Sequence, residues 1–212
     1  MKQMKHGWTA LHYKMFSRFR SKRMKQFLAL IAPKPEDRLL DIGGAKYTWS
    51  VDAGGEGRFH VTLANLVFGG ESEDKRFTNL VADATALPLA DNSFDIAYSN
   101  SVIEHVGSFA KQMAFANEAR RVARKLWIQT PARSFPVEPH LVAPFIQFLP
   151  KALQHLLVPF TLRGIMSSAE AHSCVDEVRL LTYREFRQMF PDCRILRERV
   201  LGLTKSYIAI RT

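Results

Sequence analysis

Apolar and polar positions along this chain follow two rhythms in turn. Short apolar or alternating runs at Arg38–Ile42, Phe59–Leu66, Leu80–Ala82, Asp95–Ser99 and Leu126–Thr130 predict five strands. Ile195–Val200 and Lys205–Ile210, joined through Gly202, predict two more, with the last one antiparallel. Between them lie stretches with helical spacing. Residues 1–32 read as helical and stop at Pro33-Lys34-Pro35. A short helix is expected at Trp49–Ala53 before the turn Gly54-Gly55-Glu56-Gly57. Longer ones are expected at Phe109–Arg124, where Met113, Ala116, Ala119 and Ala123 recur, and at Tyr183–Phe190. Strands alternating with helices predict an α/β fold: a doubly wound, mostly parallel seven-stranded sheet with an antiparallel last strand and helices on both faces. One stretch breaks the rhythm. From Pro131 to Val175, Pro136, Pro139, Pro144 and Pro150 accompany a run of large apolar residues that is too long for an ordinary connection. The organisation expected is a basic helical segment at 1–34, then a domain over 35–212 with an insertion at about 131–175.

Composition narrows the class. The 212 residues are 47% hydrophobic and 24% charged, proportions of a globular chain able to bury a sizeable core. No apolar stretch approaches the ~20 residues that span a bilayer, and the basic start has no apolar run behind it, so neither a membrane span nor a secretory signal is expected. Cys174 and Cys193 lack metal-ligand spacing and read as free thiols of a reducing cytoplasm; no metal site is expected. Thirty Lys and Arg against twenty Asp and Glu leave a net charge of +10, which favours anionic partners. Much of it sits in Lys14, Arg18, Arg20, Lys22, Arg23 and Lys25, interleaved with Met15, Phe16, Phe19 and Met24. Two readings stand for this segment. It is an amphipathic helix packing its apolar side on the domain, or a surface that recruits an anionic substrate or the inner face of an anionic membrane.

Candidate chemistry lies where the strands end. Leu40-Asp41-Ile42-Gly43-Gly44 is a buried strand running into an acid and a glycine pair, where backbone can approach a ligand closely. Asp83-Ala84 with Leu87-Pro88, Asn92-Ser93-Phe94-Asp95, and Ser99-Asn100-Ser101-Val102-Ile103-Glu104-His105-Val106 follow in order. Each is weak alone. As an ordered set, closely over Pro35 to Thr130, they resemble the class I S-adenosylmethionine-dependent methyltransferases, in particular the small-molecule group of that fold. The resemblance implies S-adenosylmethionine as cofactor. It implies that Asp41, Gly43, Gly44 and Ala45 hold the amino-acid end and that Asp83 and Ala84 meet the adenine, with Leu87 on its face. Asn100 and Ser101 would then face the transferred methyl. The chain also departs from the family pattern: Ala45 and Tyr47 stand where further glycines are usual, and Asn65 stands where an acid usually grips the ribose.

The acceptor side is less defined. Methyl transfer from a sulfonium depends on positioning, and a base is needed only where the acceptor loses a proton. Glu104, His105 and His140 are the candidates. His140 lies in Phe135-Pro136-Val137-Glu138-Pro139-His140, a loop stiffened by proline. The apolar run Leu141–Ile165 is either a helical lid with its own small core or an apolar pocket or membrane-facing cap. The leading expectation is methylation of a small molecule, lipid- or glycan-linked, at oxygen or nitrogen. The alternatives are an RNA methyltransferase, with no recognisable RNA-binding module in the chain, and a degenerate fold used only for binding. A nicotinamide oxidoreductase is disfavoured, because Gly-x-Gly-x-x-Gly is absent.

Overall fold

Residues 19–49, 59–68, 70 and 73–212 are described in the computed structural model. Residues 19–31 form the first helix, α1. Met24, Phe27 and Ile31 recur on one face at helical spacing and are buried against the sheet. The helix ends at Ala32, whose φ of 47° breaks the spiral before Pro33, and Lys125 Nζ caps the Ile31 carbonyl at 3.2 Å. The expected helix before residue 19 lies outside the described residues, as do most of Trp49–Ala53 and the 54–57 turn; residues 46–49 are helical.

Seven strands make the main sheet: β1 Arg38–Ile42, β2 His60–Asn65, β3 Phe77–Val81, β4 Phe94–Asn100, β5 Ala123–Pro131, β8 Arg194–Val200 and β9 Leu203–Arg211. Their order is β3-β2-β1-β4-β5-β9-β8. The pairs among β1 to β5 are parallel, and β9 is antiparallel to both neighbours, as expected for the last strand. Alternation along each strand sends residues to opposite faces. Leu39, Ile96, Tyr98, Trp127, Ile208 and Ile210 join the core under α1, where Phe27 meets Trp49, Tyr98 and Trp127 edge-to-face at 5.1–5.9 Å. Leu40, Ile42, Ala97, Leu126, Ile128 and Ala209 form the core of the other face with helices α2 (Phe109–Val122) and α6 (Tyr183–Met189).

Several boundaries differ from expectation, most by one or two residues. β3 begins at Phe77, three residues early, because an edge strand tolerates the polar Thr78 and Asn79 on its open side. Helix α2 stops at Val122, and Ala123-Arg124 already belongs to β5. β5 also runs through Pro131, which ends the strand from inside it. The insertion folds as a two-stranded ribbon, β6 (Val137–Glu138) with β7 (Ala143–Pro144), then α3 (Lys151–Leu157), α4 (Leu162–Met166) and α5 (Ser168–Glu177). It has its own small core of Leu141, Ala143, Ile146, Val158, Ala171 and Val175. Around this core Phe145, Phe148, Leu156, Phe160 and Ile165 stay exposed. No helix among the described residues is long and apolar enough to cross a membrane. Cys174 and Cys193 are both free.

Candidate active site

A cavity of about 380 Å³ opens at the carboxyl ends of β1, β4 and β5, where crevices form in open parallel sheets. Asp41, Gly43, Gly44 and Ala45 line one side, Asn100 and Ser101 the middle, and His140 with the β5–β6 loop another side.

The turn after β1 is built for close approach. Gly43 has φ +74°, and a Cβ there would lie 2.5 Å from Val102 Cγ1. A Cβ on Gly44 would overlap the Asp41 carboxylate, 1.7 Å from Oδ2. Only glycine lets the backbone and the acid share this space. Asp41 is buried, its Oδ2 accepts from Trp49 Nε1 at 2.8 Å, and its Oδ1 has no partner among the described residues. Burial pushes this carboxyl up to about 7, although the Trp49 hydrogen bond acts the other way. Trp49 carried no role in the sequence reading; an indole eight positions after the candidate acid was the available signal. Tyr47 lines the cavity and is half exposed, so it covers the crevice. Asn65, at the end of β2, donates from Nδ2 to the Gly44 carbonyl at 3.1 Å and braces the turn.

Ser101 adopts φ +58° and donates from Oγ to Gln129 Oε1 at 2.9 Å, while Asn100 Oδ1 is buried without a partner among the described residues. The residues expected at the adenine are not among those that line this cavity. Asp83 is exposed and closes a turn, its Oδ1 accepting from both the N–H and the hydroxyl of Thr85 at 2.8 Å; those bonds hold its carboxyl below the usual range. Ala84 packs partly on the core. Leu87 is only 5% exposed within that core, and its N–H donates to Glu118 Oε2 at 2.7 Å.

The acidic and imidazole groups form one constellation. Glu104 is fully buried on the helical turn Ile103–His105; Oε2 accepts from Thr130 Oγ1 at 3.0 Å, and Oε1 lies 3.9 Å from His140 Nε2. Glu138, buried on β6, meets His140 Nδ1 at 2.6 Å and accepts the Leu141 N–H through its other oxygen at 2.6 Å. Burial raises Glu104. Burial works against a charged His140, but Glu138 at contact and Glu104 beyond it outweigh this and raise His140. The imidazolium in turn holds Glu138 low against its own burial. His105 is exposed, its ring set edge-to-face on His140 at 4.8 Å between centroids. Sequence reading named His140 and passed over Glu138; the turn at 139–142 that joins β6 to β7 brings the His140 ring back onto it. Ligating atoms of Glu104, His105 and His140 lie within 4.8 Å of one another, a combination able to take a metal. His140 also borders a second cavity of about 370 Å³ under the insertion.

Residues 57–126 match a family model described as a methyltransferase domain. No curated protein matches the chain. Among solved structures, the chain is similar to the magnesium protoporphyrin IX methyltransferase of Synechocystis PCC 6803, with 12% identity over 95% of this chain and 86% of that one, at a TM-score of 0.56. It is also similar to the 1,6-didemethyltoxoflavin-N1-methyltransferase of Burkholderia thailandensis, with 14% identity, 97% and 88% coverage and a TM-score of 0.51. A Rhodobacter sphaeroides structure described as a putative zinc-dependent alcohol dehydrogenase matches as well, at 11% identity, 89% and 88% coverage and a TM-score of 0.56. At such identities the likeness concerns the fold alone. Against two longer structures of this fold, the chain spans 60% and 57% of their length.

Proposed function

We propose that this chain, a class I S-adenosylmethionine-dependent methyltransferase by its sheet order and its matched segment, methylates a small acceptor held between the β1 turn and His140. The observation that carries the reading is that Asp41, the glycine pair, Asn100 and His140 line one cavity. The cofactor fits the donor set. Gly43 and Gly44 leave backbone room that any side chain would fill, and Asp41 Oδ1 is a buried acceptor suited to an ammonium. Asn65 and Asp83 each keep one side-chain oxygen for ribose and adenine. S-adenosylmethionine bound there supplies an electrophilic methyl group.

The rest falls to the protein's own side chains. Tyr47 covers the crevice and limits water. Glu138 accepts from Nδ1–H of His140, which leaves Nε2 to take a proton from the acceptor's hydroxyl or amine. Glu104 lies on the Nε2 side and favours the imidazolium that results. On this reading the constellation works by acid–base chemistry, with Glu138 and Glu104 set beside the two ring nitrogens of His140. The exposed Phe145, Phe148, Leu156, Phe160 and Ile165 favour a lipid- or glycan-linked acceptor met at a membrane surface.

Transfer of labelled methyl into a cell extract, split afterwards into lipid, nucleic-acid and small-molecule fractions, tests the proposal. Label in the lipid or small-molecule fraction, lost in His140→Ala, supports it. Label confined to nucleic acid, or no binding of S-adenosylhomocysteine by the protein, overturns it.

A further inference from the structure

The lone pair that lets His140 act as a base also makes it a ligand, and two further donors stand beside it. Glu104, His105 and His140 each bring one donor atom within 4.8 Å of the others, from the Ile103–His105 turn after β4 and from the loop after β6. Glu104 is fully buried. Its Oε2 is occupied by Thr130 Oγ1 at 3.0 Å, whereas Oε1 is buried without a hydrogen-bond partner among the described residues. His140 Nε2 is the nearest basic atom to it, at 3.9 Å, which is too far for a hydrogen bond. A buried carboxylate oxygen left in this state is costly, and an ion placed between Oε1 and Nε2 satisfies both atoms.

The surroundings suit such an ion. Glu138 Oε1 meets His140 Nδ1 at 2.6 Å, which fixes the ring proton on Nδ1 and leaves the Nε2 lone pair on the Glu104 side. A carboxylate behind a ligating imidazole sets its tautomer and raises its basicity. Two ligand atoms that share a tetrahedral zinc are roughly 3.4 Å apart, so Glu104 and His140 need close by only about 0.5 Å. His105 is exposed, with its ring edge-to-face on His140, and has room to swing onto the same point. Among the charged neighbours, Glu138 and Glu177 favour a cation here, while Arg163 and Arg23 oppose it. One carboxylate oxygen with two imidazole nitrogens is a donor set for zinc and its neighbours; magnesium and calcium prefer oxygen throughout.

We infer that Glu104, His105 and His140 bind a divalent transition metal of the zinc type, and that the bound ion takes Nε2 away from the acceptor's proton and so stops methyl transfer. Binding stands on the geometry of the three side chains; the inhibition rests on the reading of His140 given above. The Nε2 lone pair forms the bond to the ion, and any proton held there passes to solvent. Metal-free protein has His140 available to the acceptor, and metal-filled protein does not.

Calorimetric titration of the protein, freed of metal beforehand, with zinc chloride tests this, and the visible absorption of bound cobalt(II) reports the same site independently of activity. One zinc per chain is expected, bound at least tenfold more weakly in His105→Ala, His140→Ala and Glu104→Gln. Affinity should be unchanged in His155→Ala, which removes the separate pair that His155 and His172 form with Nδ1 atoms 2.7 Å apart. Magnesium should give no heat. Zinc should abolish labelled-methyl transfer and EDTA should return it to its starting rate. No zinc binding, equal binding in all variants, binding lost in His155→Ala, or equal affinity for magnesium overturns the inference. Melting temperature shows that each variant is folded; if Glu104→Gln fails this check, His105→Ala, at an exposed position, decides. Zinc binding with the expected variant pattern but with transfer intact or raised keeps the site and sinks the reading of His140 as the base. Absent binding with transfer lost in His140→Ala does the reverse.

Discussion

Asp41 makes cofactor binding a pH-dependent event with a predictable sign. Its carboxyl is raised to about 7 by burial, so the free protein carries a proton there across much of the range in which ordinary carboxyls are ionised. Between the ordinary value near 4 and about 7 the folded state binds more protons than the unfolded chain, and stability therefore falls as pH rises through that window. An ammonium placed against Asp41 requires the ionised form, so binding must expel the proton. At pH 6 about one molecule in ten is ionised, and the dissociation constant for S-adenosylhomocysteine should be about tenfold weaker than at pH 8, equivalent to ~1.4 kcal/mol. Calorimetry in two buffers of different ionisation enthalpy reads both quantities. Nearly one proton should be released per ligand at pH 6 and almost none at pH 8.5, and Asp41→Asn should abolish both the release and the pH dependence. A flat affinity from pH 6 to 8 with no proton release in the wild type would refute the placement of the ammonium at Asp41.

Three further outcomes are expected. Glu138→Gln removes the charge that holds His140 up, so the rising limb of kcat/KM against pH should move to lower pH while the plateau drops roughly 10- to 100-fold; an unmoved limb means His140 is not the titrating base. Because a raised histidine stabilises below its ordinary 6.5 and loses this as pH rises through its folded value, the same variant should lose melting temperature mainly in acid. Gly43→Ala forces a Cβ at positive φ to within 2.5 Å of Val102 and should weaken S-adenosylhomocysteine binding at least tenfold, with Val102→Ala restoring part of it; full affinity in Gly43→Ala alone contradicts the close-approach argument. Chelation with EDTA should leave turnover unchanged if His140 works by taking a proton between Glu138 and Glu104, and restoration of a lost activity by a divalent metal would reassign Glu104, His105 and His140 as ligands of a catalytic metal.

What the sequence disclosed and what it hid divide along a physical line. Apolar runs such as Leu39-Leu40 and Leu126–Ile128 are buried on both faces, so their pattern needs no partner to be read. Strand β3 is an edge, where polarity carries less information, and its first residues were missed. The junction of α2 and β5 has no turn residue at all: Ala123 changes backbone conformation, with φ −133°, without any punctuation a reader could use. At the site, Asp41, the glycines, Asn100 and His140 were legible because each stands at a strand end or in a stiff loop. Arg23 is different: it meets Glu198, 175 positions away, and only packing reveals that they do.

The two ends of α1 answer to different demands. Met24, Phe27 and Ile31 are fixed by the shape of the sheet beneath them, whereas Arg20 and Arg23 face the cavity. A helix divided in this way can change the cavity wall by exchange of one or two polar side chains at positions 20 and 23, while the residues that hold it on the sheet stay as they are.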